Sequence, residues 1–91
     1  SMADIDNTLA ERQKTHGDFK DHAGITQELK LLLHQHRGWA TLTPSMQEAL
    51  DMICHKMGRV LSGNANHLDH WHDIAGYATL VERQLEEARS K

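Results

Sequence analysis

Apolar residues return every three or four positions along most of the chain and nowhere alternate strictly with polar ones. That is the period of helices rather than strands. Residues 4–14 (DIDNTLAERQK) predict a short first helix with Ile5 and Leu9 as its apolar positions and early aspartates at its positive end. His16-Gly17-Asp18 breaks it, with Asp18 as the N-cap of a second helix. Residues 19–36 predict that helix, whose apolar face is Phe19, Ile25, Leu29, Leu32 and Leu33, closed by Arg37-Gly38. Residues 38–43 form a connection in which Trp39 and Leu42 fold back over one end of the bundle.

Thr43-Pro44 is a helix start, with Thr as N-cap and Pro in the first turn. The third helix, residues 44–62, places Met46, Leu50, Ile53, Met57 and Leu61 on one face. Glu48, Asp51, His55 and Arg59 fall opposite, within about 80° of each other at ~100° per residue. Gly58 inside this helix costs roughly 1 kcal/mol against Ala, which predicts a close packing contact there. Gly63-Asn64 ends it. Residues 67–89 predict a fourth helix with Ile74, Tyr77, Ala78, Val81 and Leu85 as its stripe, His70 on that stripe and Asp73 at its edge. The chain therefore reads as one all-α domain over residues 1–91, a four-helix bundle. Ser1 reads as a tag remnant, and residues 86–91 are expected to fray.

Ninety-one residues make a thin core, because a domain of this length buries only roughly 60–70% of its unfolded surface. A second copy would complete it, so a homodimer or higher homo-oligomer is expected. The formal net charge is −3 with no basic stripe, which argues against double-stranded nucleic acid as a partner. No run approaches the ~20 apolar residues of a membrane span, and no secretory pattern opens the chain. One cysteine, Cys54, cannot form an internal disulfide, which suits a reducing bacterial cytoplasm; its place on the apolar side of the third helix suits an inert core residue.

Chemistry concentrates between Glu48 and Tyr77. Glu48 and Asp51 are three apart, as are His70 and Asp73, and residues three apart are neighbours on a helix. Facing each other, the two pairs, with Asp69 beside them, would surround one point with ligands for a hard cation such as Mg²⁺ or Mn²⁺. Asp73 is the hardest to read as plain surface, since it borders the apolar run IAGYATLV and a carboxylate there needs a partner. Lys56 and Arg59 follow the acids and suit phosphate, although pairing within the helix would also explain them. Among the eight histidines, His67, His70 and His72 could also bring a transition metal, with His70 the foremost ligand; a helix N-terminus with surface histidines is the simpler alternative. His16-Gly17-Asp18-Phe19 could close over a nucleotide or be a helix junction with Phe19 packed inside. Trp71 beside the acids could stack a base.

Glu48-x-x-Asp51, an 18-residue gap and His70-x-x-Asp73 together resemble the MazG-like all-α nucleoside triphosphate pyrophosphatases. HGDF…EALDMICHKMGR…DHWHDIAGYA is similar, from His16 to Val81, to small proteins encoded by phages and prophages. The resemblance implies an Mg²⁺ site and cleavage of nucleoside triphosphates to monophosphate and pyrophosphate. Carried over by position, it makes Glu48, Asp51 and Asp73 catalytic metal ligands, Asp69 or His70 the fourth, and Lys56 and Arg59 phosphate contacts, with His16, Asp18 and Trp71 near the nucleotide. His70 stands where that pattern has a glutamate, and fewer acids are present. Two further readings stay open: a non-catalytic helical module that binds a nucleotide or signal molecule, and a helical bundle that binds only other proteins.

Overall fold

A computed structural model of the chain describes residues 1–90 and is all-helical. Helix α1 spans Met2–His16, α2 Phe19–Gln35, α3 Pro44–Ser62 and α4 Leu68–Arg89, with a 3₁₀ turn at Trp39–Thr41 between α2 and α3. The caps explain most of these bounds. Asp18 and Thr43 accept the backbone N–H of Asp21 and Met46, each at 3.2 Å, and Pro44 occupies the first turn of α3. Ser1, expected as a tag remnant, caps α1 in a capping box with Asp4. Helix α4 runs through Arg89 in the stretch expected to fray, and Lys91 lies outside the described residues. Among the described residues no helix is long and apolar enough to cross a membrane.

Helix α3 is the centre. It packs against α2 on one side and α4 on the other, and α1 touches α2 and α3 more lightly. The fully buried residues of α3 are all small: Ala49, Cys54 and Gly58. A Cβ built on Gly58 would collide with Thr26 Oγ1 and with the His22 ring, so the expected close contact is present and α2 lies there against bare backbone. Trp39 closes the α2–α3 turn by stacking on His34, ring centroids 4.4 Å apart, while its carbonyl accepts from the Gln47 side chain at 3.0 Å.

Several expected core residues are outside. Phe19 is 79% exposed and Leu32 67%; no element covers the first turn of α2 or that side of its C-terminal half. Ile5 and Leu9 are exposed because α1 buries no residue along its length. Met57, Leu61 and Leu85 are also exposed, since α2 and α4 flank α3 without closing over it. Ala78 is exposed too, leaving Ile74, Tyr77 and Val81 half-buried as the stripe of α4. What lies deepest is polar: His22, Thr26 and His70, beside Ala49 and Cys54. The result is elongated, 52 × 28 × 27 Å, with a radius of gyration of 15.8 Å against about 12 Å for a compact chain of this length.

Overpacking at the α2–α3 crossing is the expected effect of Gly58→Ala, with a loss of about 2 kcal/mol and a melting temperature lower by roughly 8–16 °C. Gly24→Ala and Gly76→Ala, where an added Cβ meets nothing within 4 Å, are expected to raise it slightly. Thermal unfolding followed by circular dichroism separates the two outcomes.

Candidate functional site

The acids of the expected metal site each have a different neighbour. Asp51 accepts from His34 Nε2 at 2.7 Å, a contact to α2. Asp73 pairs with Lys56 Nζ at 2.7 Å, a contact from α4 to α3. That hydrogen bond, more than the charge itself, holds the Asp73 carboxyl below its usual range, and it is the partner that its position beside apolar surface demanded. Asp69 is exposed, with its carboxylate 3.9 Å from His67 Nε2. Glu48 is exposed and borders a shallow depression of about 370 Å³ between α3 and α4 with Pro44, Tyr77 and Leu80. Among the described residues no three His, Cys, Asp or Glu side chains gather as a metal-holding group. Asp51 and Asp73 are thus each paired through one carboxylate oxygen, with His34 and Lys56, rather than turned toward each other.

His70 is 1% exposed, and its Nε2–H donates to the Thr15 carbonyl at 2.8 Å. That proton is directed at backbone, so this nitrogen is not free to coordinate a transition metal. His72 is exposed. Trp71 is 54% exposed, with its indole N–H fixed on the Ala65 carbonyl at 2.8 Å. Cys54 is buried, and burial pushes its thiol up from the ordinary value. Lys56 turns to α4, whereas Arg59 turns to the other side of α3.

On that other side two arginines meet two histidines. The end of α1, the start of α2 and Arg59 of α3 surround a cleft of about 360 Å³, with Arg12, His16, His22 and Arg59 on its walls and Leu9 and Phe19 beside them. Asp18 is its one carboxylate, and it is engaged as the N-cap of α2. His22 is 3% exposed, and neither ring nitrogen has a hydrogen-bond partner; buried Nε of Arg59 has none either. The Gly58 carbonyl favours a proton on His22 but meets neither nitrogen in hydrogen-bond geometry. A buried donor left unmet costs about 1–3 kcal/mol, so two in one cleft call for a physical reason.

The electrostatics agree with the geometry. Arg59 Nη2 lies 3.0 Å from His55 Nε2. A guanidinium only donates, so His55 Nε2 is the bare acceptor and its ring is neutral. Burial, then the Arg59 charge, lowers His55 to about 4. The same two causes, in the same order, lower His22 and His16. The His22 ring stands edge-on to His55, centroids 4.6 Å apart. Of this constellation His16, Asp18 and Arg59 are those expected near a nucleotide; Arg12 and His22 are not among the expected residues. The signal for His22 is its position: residues 22, 26, 29 and 33 form one helical stripe, and its first two members are His and Thr.

A family model described as a domain of unknown function (DUF6378) matches residues 3–85. Comparison with curated proteins and with solved structures gives no match.

The lowered imidazoles set a pH dependence. Their folded values lie below 6.5, so between that value and about 4 the unfolded chain binds more protons than the folded one. Stability is therefore full above about pH 6.5 and falls as the solution is acidified, with a loss on the order of 2 kcal/mol by pH 4. Urea midpoints across this range check it. His55→Gln, which keeps an acceptor for Arg59, is expected to flatten the slope.

Proposed function

The chain belongs to the DUF6378 family, and we propose that it is a helical module that binds a phosphate-bearing small molecule, of the nucleotide class, without turning it over. The observation that carries this reading is the three buried, unmet nitrogens, two of His22 and one of Arg59, in a cleft walled by cationic and imidazole groups. Guanidinium groups grip phosphate oxygens with paired, charge-assisted hydrogen bonds. Arg59 reaches the cleft from α3 and Arg12 from α1, so two rigid helices would hold one anion. The volume lies within the range of small-molecule sites, and the exposed ring of Phe19 at the wall offers a flat apolar surface to the rest of the ligand.

The working form is a homodimer. The chain exposes 6787 Å², whereas a compact monomer of its mass exposes about 5,400 Å². The excess, roughly 1,400 Å², is more than one partner loses in a standard protein interface, and Leu50, Met57, Leu61 and Leu80 are among the apolar side chains that contribute to it. Metal-dependent hydrolysis, which the MazG-like resemblance implies, would require Asp51 to leave His34 and Asp73 to leave Lys56, or a second copy to supply further ligands.

Millimolar inorganic phosphate and nucleoside phosphates are expected to raise the melting temperature without Mg²⁺. At a hundredfold excess over the dissociation constant the gain is about 2.7 kcal/mol, or more than 10 °C for a domain of this size. Arg59→Gln and Arg12→Gln remove most of that gain, and Lys56→Gln keeps it. No shift with any phosphate contradicts the proposal. Pyrophosphate release that needs Mg²⁺ and is lost in Asp73→Ala would replace it with the hydrolase reading.

A further inference from the structure

We propose that the cleft between α1, α2 and α3 takes up its anion together with one proton from solvent, and that His22 is the group that accepts the proton. This rests on the anion-binding reading above and adds what the site requires of its ligand and its solution.

Three imidazoles lie in or against the cleft, and only one is buried with neither nitrogen engaged. His55 has its Nε2 already accepting from Arg59 at 3.0 Å, so a proton there would break that bond and set two cations against each other. His16 is held at the α1 terminus, with its Nδ1 against the Arg12 carbonyl and the Thr15 hydroxyl and its ring edge-on to His70 at 5.2 Å. His22 alone has both nitrogens uncommitted while 97% of its surface is covered. Its ring is fixed by packing on Gly58 and against His55. It can gain a proton without losing a bond.

The surroundings decide when it does. The charged and titratable groups acting on His22 are Arg12 and His16 on α1, Asp18 and Lys30 on its own helix and its cap, and His55, Lys56 and Arg59 on α3. One of these is an acid, and Asp18 is tied to the α2 cap. Burial and Arg59 therefore keep the ring neutral in the free protein. An anion seated against Arg59 reverses the balance, because an opposite charge within about 4–6 Å favours the protonated ring. Once protonated, the imidazole is a donor at both nitrogens and carries a positive charge beside the anion seated against Arg59. Protonated His22 and Arg59 together then match a dianion, so binding strengthens as the solution is acidified toward about pH 6.

Sulfate is the probe, since it keeps two charges throughout this range and every proton counted belongs to the protein. Calorimetric titration of the full chain with sulfate, in two buffers of unlike ionisation heat, is expected to show close to one proton taken up per sulfate near pH 7. Affinity is expected to fall roughly tenfold or more between about pH 5.5 and about pH 7.5. His22→Gln, checked for folding by circular dichroism, is expected to lose the uptake and the pH slope. Independently of that variant, the His22 ring proton resonance is expected to titrate at higher pH with sulfate than without it. Sulfate binding without buffer dependence, or a shifted titration at another histidine while that of His22 stays in place, overturns the inference and leaves anion binding standing. No sulfate binding at any pH overturns both.

Discussion

The structure depends on one backbone carbonyl, that of Thr15. It accepts the N–H of Asn64 at 3.0 Å and Nε2–H of His70 at 2.8 Å. Two helix junctions, α1–α2 and α3–α4, are thereby fastened together although they lie far apart in the chain. They can meet only because no side chain stands between them. Gly17 has φ 81°, and a Cβ on it would overlap the Ser62 carbonyl, while one on Gly63 would overlap the Thr15 carbonyl. The Ser62 hydroxyl, bonded within α3 to the Gly58 carbonyl at 2.7 Å, also reaches across the junction to the His16 carbonyl at 3.4 Å. A carbonyl with two donors is fully satisfied, so this clasp has little tendency to open to water.

The clasp sets the position of the cleft. It fixes the end of α1 against the start of α2 and the end of α3, which is where Arg12, His16, His22 and Arg59 come together. The length of α3 lies between the clasp and its Thr43 cap, and its small residues Ala49, Cys54 and Gly58 let α2 and α4 pack along its flanks. The core is therefore backbone and small side chains with His22, Thr26 and His70 set among them, rather than a packed group of large aliphatics. Such a core buries little apolar area, which leaves the long apolar edges of α2, α3 and α4 uncovered. Polar groups at the centre hold the geometry of the cleft, and the apolar surface at the edges is what a second copy would cover.

Much of this is legible in the sequence. Thr43-Pro44 and Gly63-Asn64 bound α3 because caps and breakers act locally. Gly58 announces a crossing because a helix bears a glycine at a cost. What period counting does not supply is the identity of the group across each seam. Asp51 meets His34 and Asp73 meets Lys56, so acids that share helical spacing with a metal motif are matched to partners on neighbouring helices. Phe19 reads as core by type, yet nothing packs over the first turn of α2. His22 is the converse: a polar residue in a stripe position, where the pattern of the chain, and not the residue type, carries the information. The Thr15 carbonyl leaves no mark in a sequence at all, and only Gly17 and Gly63 hint at the approach it anchors.

The most direct measurement is a crystal of the chain grown with selenate, located by its anomalous signal. One anion in the cleft, within hydrogen-bond reach of Arg59 Nε and a His22 ring nitrogen, is the expected result. Selenate held elsewhere, with that cleft closed by protein side chains, would contradict an anion site between α1, α2 and α3.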